Sequence, residues 1–179
     1  MLDIGAGLGQ FQLLLNKLGF ETYGIEPSVL RRQYALEEFS LQLSEELVDS
    51  CYWQEAYPEY FDVITLWDVI EHVNFPRETI ASAVKLLKPG GYICLDTPSR
   101  EVLSYRISQT VYRWSRGHIS LFLTNFYSHA PYGHKQIFTF SQLADLVREL
   151  GLNIEYKALS YGNKPERGNK IILAARKES

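Results

Sequence analysis

Met1-Leu-Asp-Ile-Gly-Ala-Gly-Leu-Gly-Gln10 opens the chain and decides its fold. It reads as a short buried strand that runs into a glycine turn and then a helix. Gly5, Gly7 and Gly9 stand where the strand hands over to the helix, and the missing side chains let a ligand lie close against the backbone. The expected helix carries Phe11, Leu14, Leu15 and Leu18 inward and stops at Gly19. Its free N–H groups and positive dipole end face the turn, which suits a nucleotide or a carboxylate.

Outward from this turn the alternation continues. Glu21-Thr-Tyr-Gly-Ile-Glu26 reads as a second strand ending in an acid, and Pro27-Ser28 opens a second helix with Ser28 as N-cap. Strand, glycine loop, helix, strand and acid make a nucleoside-binding βαβ unit, in which the acid accepts hydrogen bonds from ribose hydroxyls. A solvated acid at a strand end is the competing reading of Glu26. A third strand is expected within Phe39–Leu43, and Ser44–Tyr60 shows no clear period. The apolar run Tyr60–Asp68 reads as a central parallel strand, closed by the polar group Asp68-Val-Ile-Glu71-His72-Val73.

Pro76–Leu87 reads as a helix with Ile80, Val84 and Leu87 on one face. Lys88-Pro-Gly-Gly91 is then a turn into the strand Tyr92–Asp96 and the loop Thr97-Pro98-Ser99. From Arg100 to Tyr132 the pattern changes to an amphipathic helix with Leu103, Ile107, Val111 and Trp114 on one face, followed by an aromatic run over Ile119–Tyr127. Ser141–Leu150 is a capped helix with Leu143, Leu146, Val147 and Leu150 inside, and two strands follow near Leu152–Tyr161 and Lys170–Arg176. The linker Gly162–Gly168 between them is polar enough for a hairpin-type loop.

The totals agree with a single α/β domain over residues 1–179, with 100–132 as an inserted lid. The chain has 179 residues, 46% of them hydrophobic and 22% charged, and a formal net charge of −3. That balance supplies no overall field for nucleic acid or an anionic membrane. Cys51 and Cys94 form no CxxC pair and suit a reducing compartment. With no cationic and apolar leader and no long apolar run, the expected location is cytoplasmic. The first strand begins at residue 2 with nothing ahead to cover the glycine turn, so a missing N-terminal cap is expected.

Four segments together resemble a known family: Leu2-Asp-Ile-Gly-Ala-Gly-Leu-Gly9, Gly24-Ile-Glu26-Pro, Phe61-Asp-Val-Ile-Thr-Leu-x-Asp68-Val-Ile-Glu-His72-Val and Leu87-Lys-Pro-Gly-Gly91. In order and spacing they resemble class I S-adenosylmethionine-dependent methyltransferases, nearest the branch with the ubiquinone-biosynthesis O-methyltransferases. The resemblance implies a doubly wound, Rossmann-like seven-stranded sheet in the order 3-2-1-4-5-7-6, with strand 7 antiparallel. It implies S-adenosyl-L-methionine as cofactor. Gly5, Gly7 and Gly9 would pass under its methionine and ribose, and Glu26 would hold the ribose hydroxyls. Pro27 would lie by the adenine, and Asp3 and Asp68 by the methionine end. Glu45, Glu46 and Asp49 stay open as adenine contacts. An NAD-dependent oxidoreductase is the alternative from the glycine turn, although its fingerprint wants Gly or Ala where this chain has Gln10. An inactive truncated cofactor-binding fragment is the other.

Methyl transfer from a sulfonium is an in-line displacement, so much of the catalysis is positioning. A hydroxyl acceptor also needs its proton removed, by a base or at a metal-bound oxygen. Asp68, Glu71 and His72, spaced i, i+3 and i+4, share one face if their turn is helical. The resemblance implies Mg2+ on such a set; the competing reading keeps Asp68 for the cofactor and Glu71 and His72 for the loop. Gly133-His134-Lys-Gln-Ile-Phe138 resembles the family segment over the substrate pocket. It makes His134 a candidate base or further ligand beside His72, against a reading in which it only packs the loop. His118 and His129 lie in the insertion and carry no motif, so a surface or loop-packing role is expected of them. Thr97, Pro98 and Ser99 would line the acceptor side. Arg106, Arg113 and Arg116 lie opposite the apolar face of the insertion, which fits a lid with solvated arginines or a peripheral membrane contact. Its aromatics, Trp114, Phe122, Phe126 and Tyr127, point to a small apolar or aromatic methyl acceptor, with oxygen favoured.

Overall fold

The structure, a computed structural model, describes residues 1–127, 133–160 and 168–178. Elements follow as β1 (Leu2–Ile4), α1 (Gln10–Lys17), β2 (Tyr23–Ile25), α2 (Val29–Phe39), α3 (Cys51–Ala56), β3 (Phe61–Trp67), α4 (Pro76–Leu86) and β4 (Leu87–Pro98). The remainder are α5 (Leu103–Trp114), α6 (Leu123–Phe126), α7 (Phe140–Glu149), β5 (Leu152–Ser160) and β6 (Lys170–Lys177). Among the described residues the strands form one mixed sheet in the order β2-β1-β3-β4-β6-β5. The first four are parallel, and β6 runs antiparallel to both β4 and β5. His129 and Tyr132, the linker over residues 162–167 and the last position of the expected strand at Tyr161 lie outside the described residues, as does the side chain of Phe126.

Among the described residues six strands stand where seven were expected. Phe39 closes α2, Ser40 turns left-handed (φ 53°), and the amide of Leu41 donates to the carbonyl of Ala35. The end of α2 and its cap thus take the first two residues of the expected strand, and the third-strand position shrinks to one parallel bridge between Ile25 and Ser44. It lies beside β2, at the edge where the outer strand was expected. Lys88-Pro-Gly-Gly91 is no free turn either. It lies within β4 as a bulge, across which the register on β3 steps from Phe61↔Leu87 to Val63↔Tyr92.

The core explains why these strands are central. Leu2, Ile64, Leu66, Ile93, Leu95, Ile171 and Leu173 are fully buried, and Ile80, Leu86, Leu143 and Val147 pack on them from the helices. Each such side chain contributes about 1.5–3 kcal/mol by leaving water. The inward face of α4 is therefore Ile80, Ala83 and Leu86, with Val84 only half-buried. On α1 the expected face also shifts: Gln12 is buried while Leu14 and Leu18 are exposed. The helix over 140–149 is capped by Thr139, whose hydroxyl accepts from the Gln142 amide while the Gln142 side chain accepts from the Thr139 amide. Ser28 does occupy the N-cap of α2, without a side-chain cap bond.

Candidate functional site

The C-terminal ends of β1, β2 and β3 gather the sequence-expected residues. At the glycine turn the backbone is left-handed at Gly5 (φ 76°), Gly7 (φ 59°) and Gly9 (φ 77°). A Cβ on Gly5 would stand 2.4 Å from Val69 Cγ2 and one on Gly9 2.9 Å from Leu41 Cδ1, whereas one on Gly7 would meet nothing within 4 Å. Gly5 and Gly9 thus serve packing, and Gly7 borders open space.

Glu26 closes this turn from below. It is buried, with Oε2 accepting from the Gly7 amide and Oε1 from the Ser28 amide, both at 2.9 Å. A carboxylate has about four acceptor positions, so two stay open for further donors. Arg31 stands 3.6 Å from Oε2, and Arg32 donates to the carbonyls of Glu26 and Pro27 and to Glu45. This arginine clamp was not anticipated. Among the adenine candidates, Glu45 is engaged by Arg32, and Glu46 and Asp49 are exposed.

Asp3 is buried within β1 and accepts from the Thr65 hydroxyl at 2.6 Å. Burial pushes its carboxyl up to about 6, and the Thr65 hydrogen bond works against that rise. Asp68 follows β3 with φ 53°, which breaks any helix through it. Its amide donates to Asp96 Oδ1 at 2.7 Å, and its carboxylate pairs with Lys170, which also reaches Asp96 Oδ2 at 3.1 Å. Burial works to lower the Lys170 ammonium, but its two aspartates override that and hold it above its ordinary value.

The structure brings together Glu71, His72 and His134, with one donor atom of each lying within 4.8 Å of the others. Asp68 is not one of these three: its left-handed backbone breaks the helical turn, and its carboxylate pairs with Lys170 while also lying against the Glu71 carboxyl. Glu71 is fully buried; its Oε2 accepts from Thr97 at 3.0 Å, while Oε1 accepts no hydrogen bond. Burial pushes this carboxyl up to about 7, and the charge of Asp68 adds to the rise. The imidazoles of His72 and His134 are half-exposed, with ring centroids 4.9 Å apart. His134 is brought here by backbone: the amides of Lys135 and Gln136 both donate to the Glu71 carbonyl. The residues that follow these two segments, Asn74–Glu78 and Gln136–Phe138, line a cavity of about 430 Å³ together with Arg100 and Leu146; Glu71, His72 and His134 are not in its walls.

Thr97 and Ser99, expected by the acceptor, are fully buried at the end of β4. The stripe of α5 faces solvent, with Leu103 72%, Ile107 47% and Trp114 83% exposed, and the buried positions are Tyr105 and Ser108. His118 is exposed as expected. No helix among the described residues is long and apolar enough to cross a membrane.

A family model described as a methyltransferase domain matches residues 1–157. A ubiquinone biosynthesis O-methyltransferase of Thiobacillus denitrificans is 27% identical over 190 residues, covering 100% of this chain and 78% of that protein. A protein of the same name from Aliivibrio fischeri is 35% identical over 111 residues, 59% of this chain and only 46% of the relative's length. Among solved structures, an S-adenosylmethionine-dependent methyltransferase from Methanosarcina mazei matches with a TM-score of 0.72 at 18% identity, covering 99% of this chain and 91% of that one. The 1,6-didemethyltoxoflavin-N1-methyltransferase of Burkholderia thailandensis, solved with S-adenosylhomocysteine bound, matches with a TM-score of 0.67 at 15% identity, covering 99% and 70%. These two establish the shared α/β fold. With the family model running from Met1 into β5, the chain belongs to the family of S-adenosylmethionine-dependent methyltransferase domains.

Proposed function

We propose that this chain methylates a hydroxyl group of a small apolar or aromatic molecule, with S-adenosylmethionine lying across the glycine turn. The observation that carries the reading is Glu26: a buried carboxylate oriented by the Gly7 and Ser28 amides, with acceptor positions left for two ribose hydroxyls. Gly5 and Gly9 shape the turn, and Gly7 gives the cofactor room. Pro27 borders the adenine. Asp3 and Asp68 face the cationic methionine end, and Asp68 exchanges part of its hold on Lys170 for the cofactor's ammonium.

The acceptor's proton leaves toward the Glu71, His72 and His134 group. An imidazole has an unperturbed pKa near 6.5 and is the natural first acceptor of that proton. Glu71, carried up to about 7, can share it. His72 and His134 are thus the catalytic pair, and Thr97 orients Glu71 behind them. Magnesium, implied by the resemblance, does not fit: it demands near-octahedral oxygen coordination, while the gathered donors are one carboxylate and two imidazoles. No step runs through it.

The 100–132 segment is the substrate lid, and its exposed α5 stripe closes over the acceptor; contact with a membrane surface is the second use of the same stripe. Free Cys51 and Cys94 fit a cytoplasmic setting. The test is release of S-adenosylhomocysteine across phenolic, lipid and sugar acceptors. Turnover with phenolic acceptors is expected, and cofactor binding without turnover on any of them would count against the reading. Cosedimentation with anionic vesicles, lost in Trp114→Ser, would favour the membrane use of α5 over the lid.

A further inference from the structure

Resting on the cradle reading above, in which Asp68 faces the methionine end of the cofactor, we propose that Lys170 and Asp96 set the preference for that amino-acid end. Lys170 fills the cation position on Asp68 until the cofactor's ammonium displaces it, and Asp96 keeps Lys170 paired after the exchange. Asp68 stands at the rim of the glycine turn through the packing of both its chain neighbours. Trp67 meets Phe11 of α1 edge-on, with ring centroids 6.2 Å apart, and Val69 Cγ2 lies where a side chain on Gly5 would begin.

The two partners of Lys170 differ in what they can do. Asp96 lies in the sheet, opposite Trp67 on β3 and Ile172 on β6, and its side chain is only 5% exposed. Lys170 opens β6 opposite Pro98, with its side chain 17% exposed. Asp68 sits in the turn beyond β3, and its side chain is 51% exposed. Asp96 is thus a fixed anchor, which accepts the Asp68 amide on Oδ1 at 2.7 Å and Lys170 on Oδ2 at 3.1 Å. Asp68 is the partner that a ligand can reach. Two carboxylates face one ammonium in this trio, and the Glu71 carboxyl also lies against Asp68, so the cluster draws a further cation. Leaving a largely buried ammonium unpaired is costly. Asp96 removes that cost, because Lys170 can release Asp68 and stay paired. The incoming ammonium then restores the charge balance at Asp68. Until it does, affinity for the amino-acid end is reduced by the fraction of molecules in which Lys170 holds Asp68.

The experiment titrates the full chain calorimetrically with S-adenosylhomocysteine and with methylthioadenosine, a nucleoside thioether that lacks the ammonium and carboxylate. The ratio of their two Kd values reads the amino-acid end alone, and methylthioadenosine binding reports that the cradle is intact. Lys170→Met should raise the preference for S-adenosylhomocysteine by about tenfold. Asp96→Asn keeps an oxygen for the Asp68 amide but leaves Lys170 to Asp68, so it should lower the preference by a similar factor. Damage to the turn alone would move both variants in the same direction. Lys170→Gln repeats the test should Lys170→Met fail to hold methylthioadenosine. An unchanged ratio, or a lowered preference on loss of Lys170, overturns the proposal and leaves the cradle reading standing as long as methylthioadenosine binds. Failure of the parent protein to bind either ligand overturns both.

Discussion

The two ends of the site are built on opposite principles. At the nucleoside end, Glu26 is buried but satisfied, with two backbone amides fixing its carboxylate and Arg32 pinning the carbonyls beside it. At the acceptor end, Glu71 is buried more completely and is half unsatisfied, with one oxygen accepting no hydrogen bond and its carboxyl pushed up to about 7. A cradle that must hold one cofactor in one pose gains from rigidity. A group that must take up a proton gains from unspent acceptor capacity, at a cost in stability.

If that contrast is right, substitutions at the two ends separate in kinetics. The largest effect is expected from His134→Ala or Glu71→Gln, with kcat falling ~10²–10⁴-fold and S-adenosylmethionine affinity unchanged, because proton transfer is worth that range. A loss of cofactor affinity instead would merge the two ends. Next is Glu26→Ala, which strips the charged partner from two amides and from the ribose. Hydrogen bonds to a charged group contribute ~1.5–3 kcal/mol each, so the cofactor Kd should rise at least ~10-fold in calorimetry.

Within the cradle the glycines divide the same way. Gly5→Ala drives a methyl group into Val69 and should lower unfolding stability by ~1–3 kcal/mol, read from a denaturant midpoint. Gly7→Ala meets no neighbour; its left-handed backbone costs ~1 kcal/mol, and its main effect should be on cofactor affinity. A further effect concerns pH. Asp3 has its folded pKa raised from 3.8 to about 6, so its contribution to stability is lost as pH rises between those values. Asp3→Asn should therefore stabilise the cofactor-free protein by ~1–3 kcal/mol at pH 7.5 and flatten that slope. The cationic cofactor favours ionised Asp3, so its affinity in the parent protein should rise from pH 5 to 7 and lose this rise in Asp3→Asn.

The geometry of the glycine turn, the proposed nucleoside end, was readable in the sequence because it is local. Gly5, Gly7, Gly9 and Glu26 sit in one βαβ unit, where turn chemistry and strand ends carry the signal. The acceptor end depends on chain segments about 60 residues apart. Nothing in the run from Asp68 to Val73 announces that Asp68 takes a left-handed backbone and turns to Lys170, more than a hundred residues away. Periodicity suggested a helical turn and a shared Asp68, Glu71 and His72 face; the structure puts His134 in the place of Asp68. His134 was named from a resemblance, while its pairing with Glu71 comes from backbone bonds that leave no mark on composition. Thr65 and Asp96 went unread because their partners Asp3 and Lys170 lie 62 and 74 residues away, whereas Arg32 lies only six residues from Glu26. The outer strand shrinks to a bridge at Ser44 because α2 runs through Phe39 and the left-handed Ser40 closes it inside the expected strand.

The proposed cradle accepts S-adenosylmethionine over the dinucleotide that a three-glycine turn can also hold. Parallel calorimetric titrations of the full chain with S-adenosylmethionine and NAD test it most directly. Saturable binding of S-adenosylmethionine, with no heat from NAD at the same concentrations, is the predicted result. Preferential binding of NAD would contradict it.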